Sequence, residues 1–466
     1  MKRLSPQRRL ERNWILYDVG NSAFTLLIST IMPIYFNYLA GQGGVDATTA
    51  TAYWGYAASI VTLCVAIISP ILGTLSDFSG YKRPIFMFFA CAGVIGCALG
   101  IPMPWLVFLV VFIVTKIFYS ASLVFYDAML VDVTTHDRTD DVSSKGYAWG
   151  YIGSCIPFLV SIAIVLLTDL EYAVSIPIAL IINALWWLGF TLPLAKTYRQ
   201  THFVPRSPHA VRDNFKRLFS VFSKKSDVPN KKGIILFLVA FFLYIDGVYT
   251  IIDMATSFGT ALGFDTVNLL LALLLTQIIA FPSAIIFGKL TKKVRNDILI
   301  LICIAAYTCV GLFAVFMTEA WQFWMLACAV GLFQGGVQAL SRSYFAKIIP
   351  ADQSGCLFGI LDIFGKGAAF FGTLLVSIVT DATDSVNLGA IPIVCLFAVG
   401  VTVFIIAARV NRPFLAKQAA DDAAAEAQDD AAPADGREMQ DDAAPADGRE
   451  TQDDTAPADG RETQDD

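Results

Sequence analysis

The sequence predicts an all-α, polytopic membrane protein in which twelve transmembrane helices form two six-helix bundles. The first observation is composition: 56% of the 466 residues are hydrophobic and 15% are charged, whereas an ordinary soluble domain has roughly 45–50% and 25%. The second is that the apolar residues fall into stretches long enough to cross a bilayer. The third is that loop lysines and arginines occur only in alternate loops. A soluble enzyme of this length would need far more polar surface.

Each predicted span supplies approximately the 20 apolar residues that a hydrocarbon core of about 30 Å requires. The third and sixth spans are the tightest fits. The even number places both termini on the same side of the membrane. The spans are residues 14–39, 51–74, 84–101, 105–131, 146–168, 172–194, 233–259, 266–288, 297–318, 321–345, 355–380 and 390–410.

The loop charges give the orientation. The N-terminal segment and loop 196–232 are basic, and so are the other loops that the even count places on their side. The opposite loops contain aspartate and glutamate but neither lysine nor arginine. Because basic loops remain on the cytoplasmic side, we expect a multi-pass protein of the cytoplasmic (plasma) membrane with both termini in the cytoplasm.

Loop 196–232 is predicted to be a cytoplasmic linker between an N-terminal bundle (1–195) and a C-terminal bundle (233–410). The pentapeptide LYDVG in span one recurs as LYIDG in span seven, which is typical of parallel repeats. Residues 411–466 are predicted to be a disordered acidic tail. Residues 421–466 hold 17 of the 39 acidic and 3 of the 33 basic residues, in repeats of 12 residues.

Several kinds of chemistry are excluded by the motifs. The nine cysteines show no spacing suited to a metal site and are predicted to be small apolar helix residues. No nucleophile elbow, Walker loop, HExxH or GxGxxG motif is present. We therefore expect no enzyme activity, no cofactor and no metal, and the opposite charges of body and tail give no indication of a nucleic-acid partner.

The loop between the second and third spans is the sharpest local signal. It reads Gly73-x-x-x-Asp77-x-x-Gly80-x-Lys82-Arg83. Its glycines permit a tight turn between close helices, while the carboxylate and the two cations can bond across helix ends. We predict that these five residues form a gate at the cytoplasmic face.

This pattern resembles the signature loop of the major facilitator superfamily. Segments in both halves further resemble the branch that includes the vacuolar amino-acid effluxers linked to autophagy in fungi. Val19-Gly20 departs from the Trp-Ala pair expected there, and the acidic tail has no counterpart. The resemblance rests on residues 14–24, 242–252, 334–343 and 358–366 and extends over about 10–410.

The resemblance implies a carrier that exposes a central site to each side of the membrane in turn, with a cavity lined mainly by spans one, four, seven and ten. All four carry polar residues, and a charge at the bilayer centre costs about 2.5–3.5 kcal/mol on insertion scales. The candidates for the substrate cavity or for coupling are Asn21, Lys116, Asp246, Asp253, Gln334 and Gln338. The candidates for the gate, besides the signature loop, are Asp18, Asp127, Ser341 and Arg342.

Structural roles are the alternatives for these residues. Lys116 also suits a fixed ion pair, and Gln334 and Gln338 suit hydrogen bonds between helices. Asp362 and Lys366 are four residues apart in span eleven and are predicted to form an intramembrane ion pair.

A cavity that offers an ammonium and carboxylates suits a zwitterion, in agreement with the amino-acid substrates that the resemblance implies. We therefore predict a monomeric secondary active transporter in the lipid bilayer, working by alternating access and exporting amino acids or similar small metabolites. The alternatives are a carrier of another class, such as a proton-coupled carrier of a sugar or an amphipathic drug, and a non-transporting receptor or scaffold. Whether transport is coupled to a proton or to another cation stays open. A coupled proton would be carried by a membrane carboxylate, and Asp246 and Asp253 are the first candidates.

Overall fold

The computed structural model describes residues 5–205, 228–261, 263–264 and 266–431, and within them the regular structure is helical apart from one β-bridge between Phe78 and Val204. The first half contains α1 (Pro6–Ser29), α2 (Ile31–Gln42), α3 (Ala47–Ser76), α4 (Lys82–Ala98), α5 (Trp105–Ala128), α6 (Leu130–Val133), α7 (Thr139–Leu167) and α8 (Tyr172–Thr197). The second half contains α9 (Lys231–Ala261), α10 (Thr266–Leu290), α11 (Asn296–Val315), α12 (Ala320–Ile348), α13 (Ser354–Thr383) and α14 (Ile391–Ala431). Three 3-10 turns are His136–Arg138, Ala351–Gln353 and Leu388–Ala390.

The polytopic all-α fold is confirmed. Within the described ranges, 10 helices are long and apolar enough to cross a membrane, or 11 when the bent pair α1 and α2 counts as one span. α4, which corresponds to the predicted third span, has 17 residues and a length of about 26 Å. The predicted count of twelve is therefore reached only when this short helix also crosses.

The first span is bent between α1 and α2, whose axes differ by 41°. Pro33 lies in the first turn of α2, and its ring nitrogen cannot donate to the carbonyl of Ser29 four residues earlier. The missing hydrogen bond explains why the helix breaks at Thr30, where φ is −133°.

The helices pack first within each half and then across a shared interface. α1 packs on α7 and α8, and α5 packs on α3 and α4; in the second half α12 packs on α10 and α11, and α9 packs on α13. The halves meet where α3 contacts α13 and where α7 contacts α10 and α12. The apolar residues exposed to the outside of this assembly, such as Leu63, Leu185 and Ile286, suit a hydrocarbon environment.

Glycines bring α3 and α13 into backbone contact. A Cβ added at Gly73 would collide with the carbonyl oxygen of Gly355, and one added at Gly359 would lie 2.6 Å from the carbonyl oxygen of Ser69. Only glycine permits this approach of two helix backbones. The glycine of the signature loop thus allows the two halves to close on each other.

The last helix extends past the predicted end of the second bundle at residue 410. Met1–Lys417 form one compact unit and Gln418–Asp466 a second, of which the structure describes residues up to Ala431 as helix. Alanine, the best helix former, is frequent in this segment, and the structure describes residues 411–431 as helix, whereas the tail was predicted to begin at 411. The tail repeats from 432 and the basic part of the linker, 206–227, lie outside the described residues, and the domain boundaries stay a prediction.

Candidate functional site

A central cavity of about 1000 Å³ lies between the two halves. It is lined by side chains from α1, α5 and α7 of the first half and from α9 to α14 of the second. Polar and aromatic groups share the lining: it contains Asp18, Asn21, Tyr119, Tyr126, Asp127, Tyr147, Tyr151, Tyr249, Asp253, Gln277, Gln334, Gln338, Arg342 and Asp381.

Arg342 of α12 closes one end of the cavity by joining the two halves. Its guanidinium Nη1 lies 3.0 Å from Asp127 Oδ1 and 3.7 Å from Asp18 Oδ2. It also donates to the side chain and the carbonyl of Ser143, at 3.0 and 2.9 Å. The guanidinium lies 4.2 Å from the centroid of the Tyr147 ring, at a distance that suits a cation–π contact. The bonds to α5 and α7 bind the second half to the first.

A second set of contacts between the halves surrounds Asp140, at the start of α7. Its carboxylate accepts from Lys347 at 2.6 Å and from Asn296 at 2.7 Å. Both donors belong to the second half. All these residues lie where α7 begins and α12 ends, at the end of the molecule that carries the basic loops, which we call the basic face.

The signature loop supplies a third connection at the basic face. The Asp77 carboxylate accepts from the backbone N–H groups of Gly355 at 2.7 Å and Cys356 at 3.0 Å, in the first turn of α13. A carboxylate is favoured there because the first N–H groups of a helix have no partner within the helix. Gly80 has a φ of +77°, which suits the tight turn. Arg83 is exposed at the surface.

Lys82 of the same loop is buried. Its ammonium lies 3.1 Å from Asp132 Oδ2 and donates to Ser354 Oγ at 2.9 Å. Asp132 also accepts from Tyr198 Oη at 2.5 Å and from the His202 backbone at 2.8 Å, so the start of the linker is attached to the gate. Burial on its own raises the pKa of Asp132, but the Lys82 ammonium and the hydrogen bonds from His202 and Tyr198 outweigh it and hold that pKa well below its usual range.

The cavity is closed at the basic face and open toward the opposite ends of the helices. Asp18 and Arg342 are 7% and 5% exposed. By contrast Thr25, Asp253 and Asp381, which line the cavity further from the basic face, are exposed. The cavity is thus accessible from one end of the molecule and closed at the other.

Four predicted cavity residues line the cavity. Asn21 donates to the Tyr17 carbonyl at 3.0 Å and to Asp18 Oδ1 at 3.4 Å. Gln338 and Gln334 project from α12, one turn and two turns before Arg342 respectively. Asp253 projects from α9.

Lys116 and Asp246 were predicted to face the same cavity, but neither is among the residues that line it. The Lys116 ammonium lies over the ring of Phe112, 5.7 Å from its centroid, within α5 itself. Asp246 is 0% exposed and accepts from the Gly372 N–H at 2.8 Å. Glycine at 372 lets the α13 backbone approach so closely that it covers the carboxylate.

Ser341 has a hydrogen-bond partner within its own half. Ser341 was expected at the gate, but its hydroxyl is hydrogen-bonded to the hydroxyl of Tyr244 within the second half, at 2.6 Å. This is a correction: helical spacing put Ser341 beside Arg342 along the chain, yet adjacent residues of a helix point about 100° apart.

The predicted pair in span eleven is formed within α13. Lys366 Nζ lies 2.6 Å from Asp362 Oδ1, and Ser69 of α3 donates to Asp362 Oδ2 at 2.8 Å. The pair therefore also contacts the first half.

Sequence reasoning missed the Asp140–Lys347 contact, the burial of Lys82 against Asp132 and the tyrosine lining. Lys347 belongs to the basic loop charges from which the topology is predicted, and the sequence assigns no role to Asp140. A usable signal was present in α12, since Lys347 follows Arg342 by five residues and both are basic groups at the same helix end. The partner of Lys82 lies 50 residues away, and no local spacing indicates it.

A family model described as "Vacuole effluxer Atg22 like" matches residues 7–413. The chain belongs to this Atg22-like family. It is 40% identical over 415 residues to the "Uncharacterized MFS-type transporter YxiO" of Bacillus subtilis (strain 168), which covers 86% of this chain and 95% of that protein. The Atg22-like chain is therefore a transporter of the major facilitator superfamily (MFS), which is not a class of enzymes.

The fungal relatives are more distant. "Autophagy-related protein 22-1" of Aspergillus niger is 27% identical over 266 residues, 52% of this chain and 42% of that protein. The match thus spans less than half the length of this fungal relative.

Solved structures share the fold of this Atg22-like chain. The human organic anion transporter MFSD10 (TETRAN) superposes with a TM-score of 0.68 at 14% identity, covering 86% of this chain and 100% of that one. The MFS transporter FucP in the outward conformation superposes with a TM-score of 0.64 at 14% identity, covering 87% and 99%. At these identities the likeness shows the fold alone.

Proposed function

We propose that this protein is a secondary active transporter that works by alternating access and exports amino acids or similar small metabolites across the cytoplasmic membrane. The observation that carries the proposal is the central cavity closed at one end by ion pairs between the halves. Such contacts are weak enough in sum to break and re-form, and a carrier needs two arrangements of its halves around one site. The family description, a vacuole effluxer, supports export, and the amino-acid substrate follows from the resemblance found in the sequence.

The basic face is the cytoplasmic face in this proposal. The loops at this face hold the lysines and arginines that the positive-inside rule assigns to the cytoplasm. The open end of the cavity then faces outward, as is needed to release an exported solute. The protein would act as a monomer, because each central cavity is built from the two halves of one chain.

A disulfide that holds the basic face closed tests this proposal. A Cβ built at Gly288 of α10 lies 2.6 Å from the Cβ of Ser144 in α7, about 1 Å closer than in a disulfide. The double variant Ser144→Cys/Gly288→Cys, in a background without the native cysteines, should cross-link when oxidised. We expect counterflow of labelled amino acids in proteoliposomes to stop on oxidation and to return with reductant.

The single variant Ser144→Cys is the matched control, and it should be insensitive to oxidant. Exchange that continues unchanged after complete cross-linking would contradict alternating access. If the wild-type protein exchanges none of the amino acids, these lose their place as the proposed substrates.

The aromatic lining favours a second candidate within the same mechanism, a carrier of amphipathic solutes. Tyr119, Tyr147, Tyr151 and Tyr249 contribute ring surface to the cavity, and such rings bind apolar and cationic groups. A receptor or scaffold is disfavoured, since a cavity filled by side chains would be expected there and this one is open.

Proton coupling stays a prediction for which Asp246 is the first candidate. Its Oδ1 accepts from Gly372, whereas its Oδ2 is buried without a hydrogen-bond partner among the described residues. An ionised carboxylate in that position would be costly. A carboxyl that takes up a proton in this state and releases it in another could couple transport to a proton gradient.

A further inference from the structure

The cavity has an excess of negative charge. Among its described lining residues one guanidinium, that of Arg342, faces four carboxylates, those of Asp18, Asp127, Asp253 and Asp381, a formal net charge of −3. Charge lining a cavity with low-dielectric walls selects the sign of the solute that enters. The excess therefore opposes an anionic group and favours a cationic one.

Arg342 is not available to a carboxylate of the solute. Its Nε donates to Ser143 Oγ at 3.0 Å, its Nη1 to Asp127 at 3.0 Å and its Nη2 to the Ser143 carbonyl at 2.9 Å. The guanidinium also lies 4.7 Å from the Trp14 ring centroid. A solute carboxylate would have to displace contacts that close the basic face.

Lys116 and Lys366, two further cations near the bilayer centre, do not bind a solute carboxylate in place of Arg342. Lys116 is outside the lining, its ammonium lies over Phe112, and its charge interacts with that of Asp253. Lys366, also outside the lining, is paired with Asp362 at 2.6 Å. Even with the charge of Lys116 added, the carboxylates of the cavity remain in excess.

Acceptors without donors line the same cavity. Asp253 has neither a hydrogen bond nor a cation within 4.0 Å in the part of the chain that the structure describes, and it is exposed to the cavity. Gln277 Oε1, which can only accept, is buried without a hydrogen-bond partner there. Buried acceptors of this kind require a donor.

We infer that the transported solute is an organic cation with a primary ammonium, such as a basic amino acid or an aliphatic diamine, and that Asp253 binds the ammonium. The inference rests on the proposed transport function and narrows its substrate class. An ammonium supplies three donors and no acceptor, which matches the unpartnered acceptors. The tyrosine rings of the lining add cation–π attraction. A leucine-type zwitterion finds no free cation for its carboxylate.

The test is calorimetric titration of the full-length protein in detergent with four probes: L-lysine, 1,5-diaminopentane, L-leucine and 4-methylpentanoate. We expect the lysine and the diamine to bind, leucine to bind at least about tenfold more weakly, and 4-methylpentanoate not to bind. Asp253→Asn should weaken binding of the amines by about tenfold or more, the loss expected for a hydrogen bond to a charged group, and Asp253→Glu should restore part of it.

Asp384→Asn is the matched control, because Asp384 carries the same charge at the same end of the molecule outside the lining. Its φ of +51° is one that asparagine tolerates. This variant should bind the amines as the wild type does. Equal weakening in both variants would show a diffuse charge effect and overturn the assignment of Asp253.

The outcomes separate this inference from the transport proposal. Binding of leucine equal to that of lysine, or failure of both amines to bind to monodisperse wild-type protein, overturns the substrate class, while amino-acid counterflow would still support the carrier. Binding of the amines that depends on Asp253, without exchange of any probe in proteoliposomes, supports the binding site and contradicts the carrier.

Discussion

Replacing Arg342 by alanine tests whether the basic face is held closed by the contacts described. The substitution removes the ion pairs to Asp127 at 3.0 Å and Asp18 at 3.7 Å. It also removes both hydrogen bonds to Ser143. The Asp18 carboxylate is buried and stays so only while the halves remain together, so the loss of these contacts falls on the closed arrangement.

The magnitude follows from burial. Arg342 is 5% exposed, and removal of one partner of a buried ion pair typically costs about 3–5 kcal/mol. Because each 1.4 kcal/mol is a factor of ten, the closed state should lose at least about 100-fold in relative population. A closed state favoured by 99:1 would then hold about half of the molecules or fewer.

Distance measurements between spin labels check this shift. Labels at exposed Arg9 and Lys292, in different halves at the basic face, should report one short distance for the wild type and a longer, dominant distance for Arg342→Ala. Lys145→Ala is the matched control, since Lys145 pairs with Asp141 of its own helix at 2.7 Å. Identical distance distributions for Arg342→Ala and wild type would refute the role of this arginine.

Three further substitutions probe other parts of the structure. Gly73→Ala should hinder closure by roughly 1–3 kcal/mol, because its Cβ would meet the carbonyl of Gly355; the same labels should show a longer distance. Asp132→Asn should lower the free energy of unfolding by about 3–5 kcal/mol. Because its lowered pKa keeps this carboxyl ionised, the stability that it contributes is present above the usual pKa range of carboxyl groups and is lost only below it. The difference in unfolding free energy between variant and wild type should therefore be constant from pH 5 to 8. Asp246→Asn keeps an oxygen that can accept from Gly372, and it should retain counterflow but lose acceleration by a pH gradient; acceleration equal to that of wild type would contradict proton transfer at this carboxyl.

The candidate site was predictable as a set of helices and only partly as a set of side chains. Asn21, Asp253, Gln334 and Gln338 line the cavity, because polar residues in apolar spans need a wet cavity or a partner. Asp246 lies outside the cavity and instead has a hydrogen-bond partner, a backbone N–H of α13. Sequence spacing alone cannot distinguish these two solutions.

The sequence by itself determined the membrane class, the helical fold and the position of the signature loop, because hydrocarbon thickness and the cost of unpaired backbone groups leave few alternatives for long apolar segments. The tertiary structure decided which charges meet. Arg342 lies 215 residues from Asp127, and Lys82 lies 50 residues from Asp132, separations at which no helical periodicity operates. It also decided that Lys116 lies outside the cavity lining, since the direction of a long, flexible side chain depends on what packs around it. The cavity is negatively charged because its four carboxylates share a single guanidinium and the Lys116 ammonium lies outside its lining.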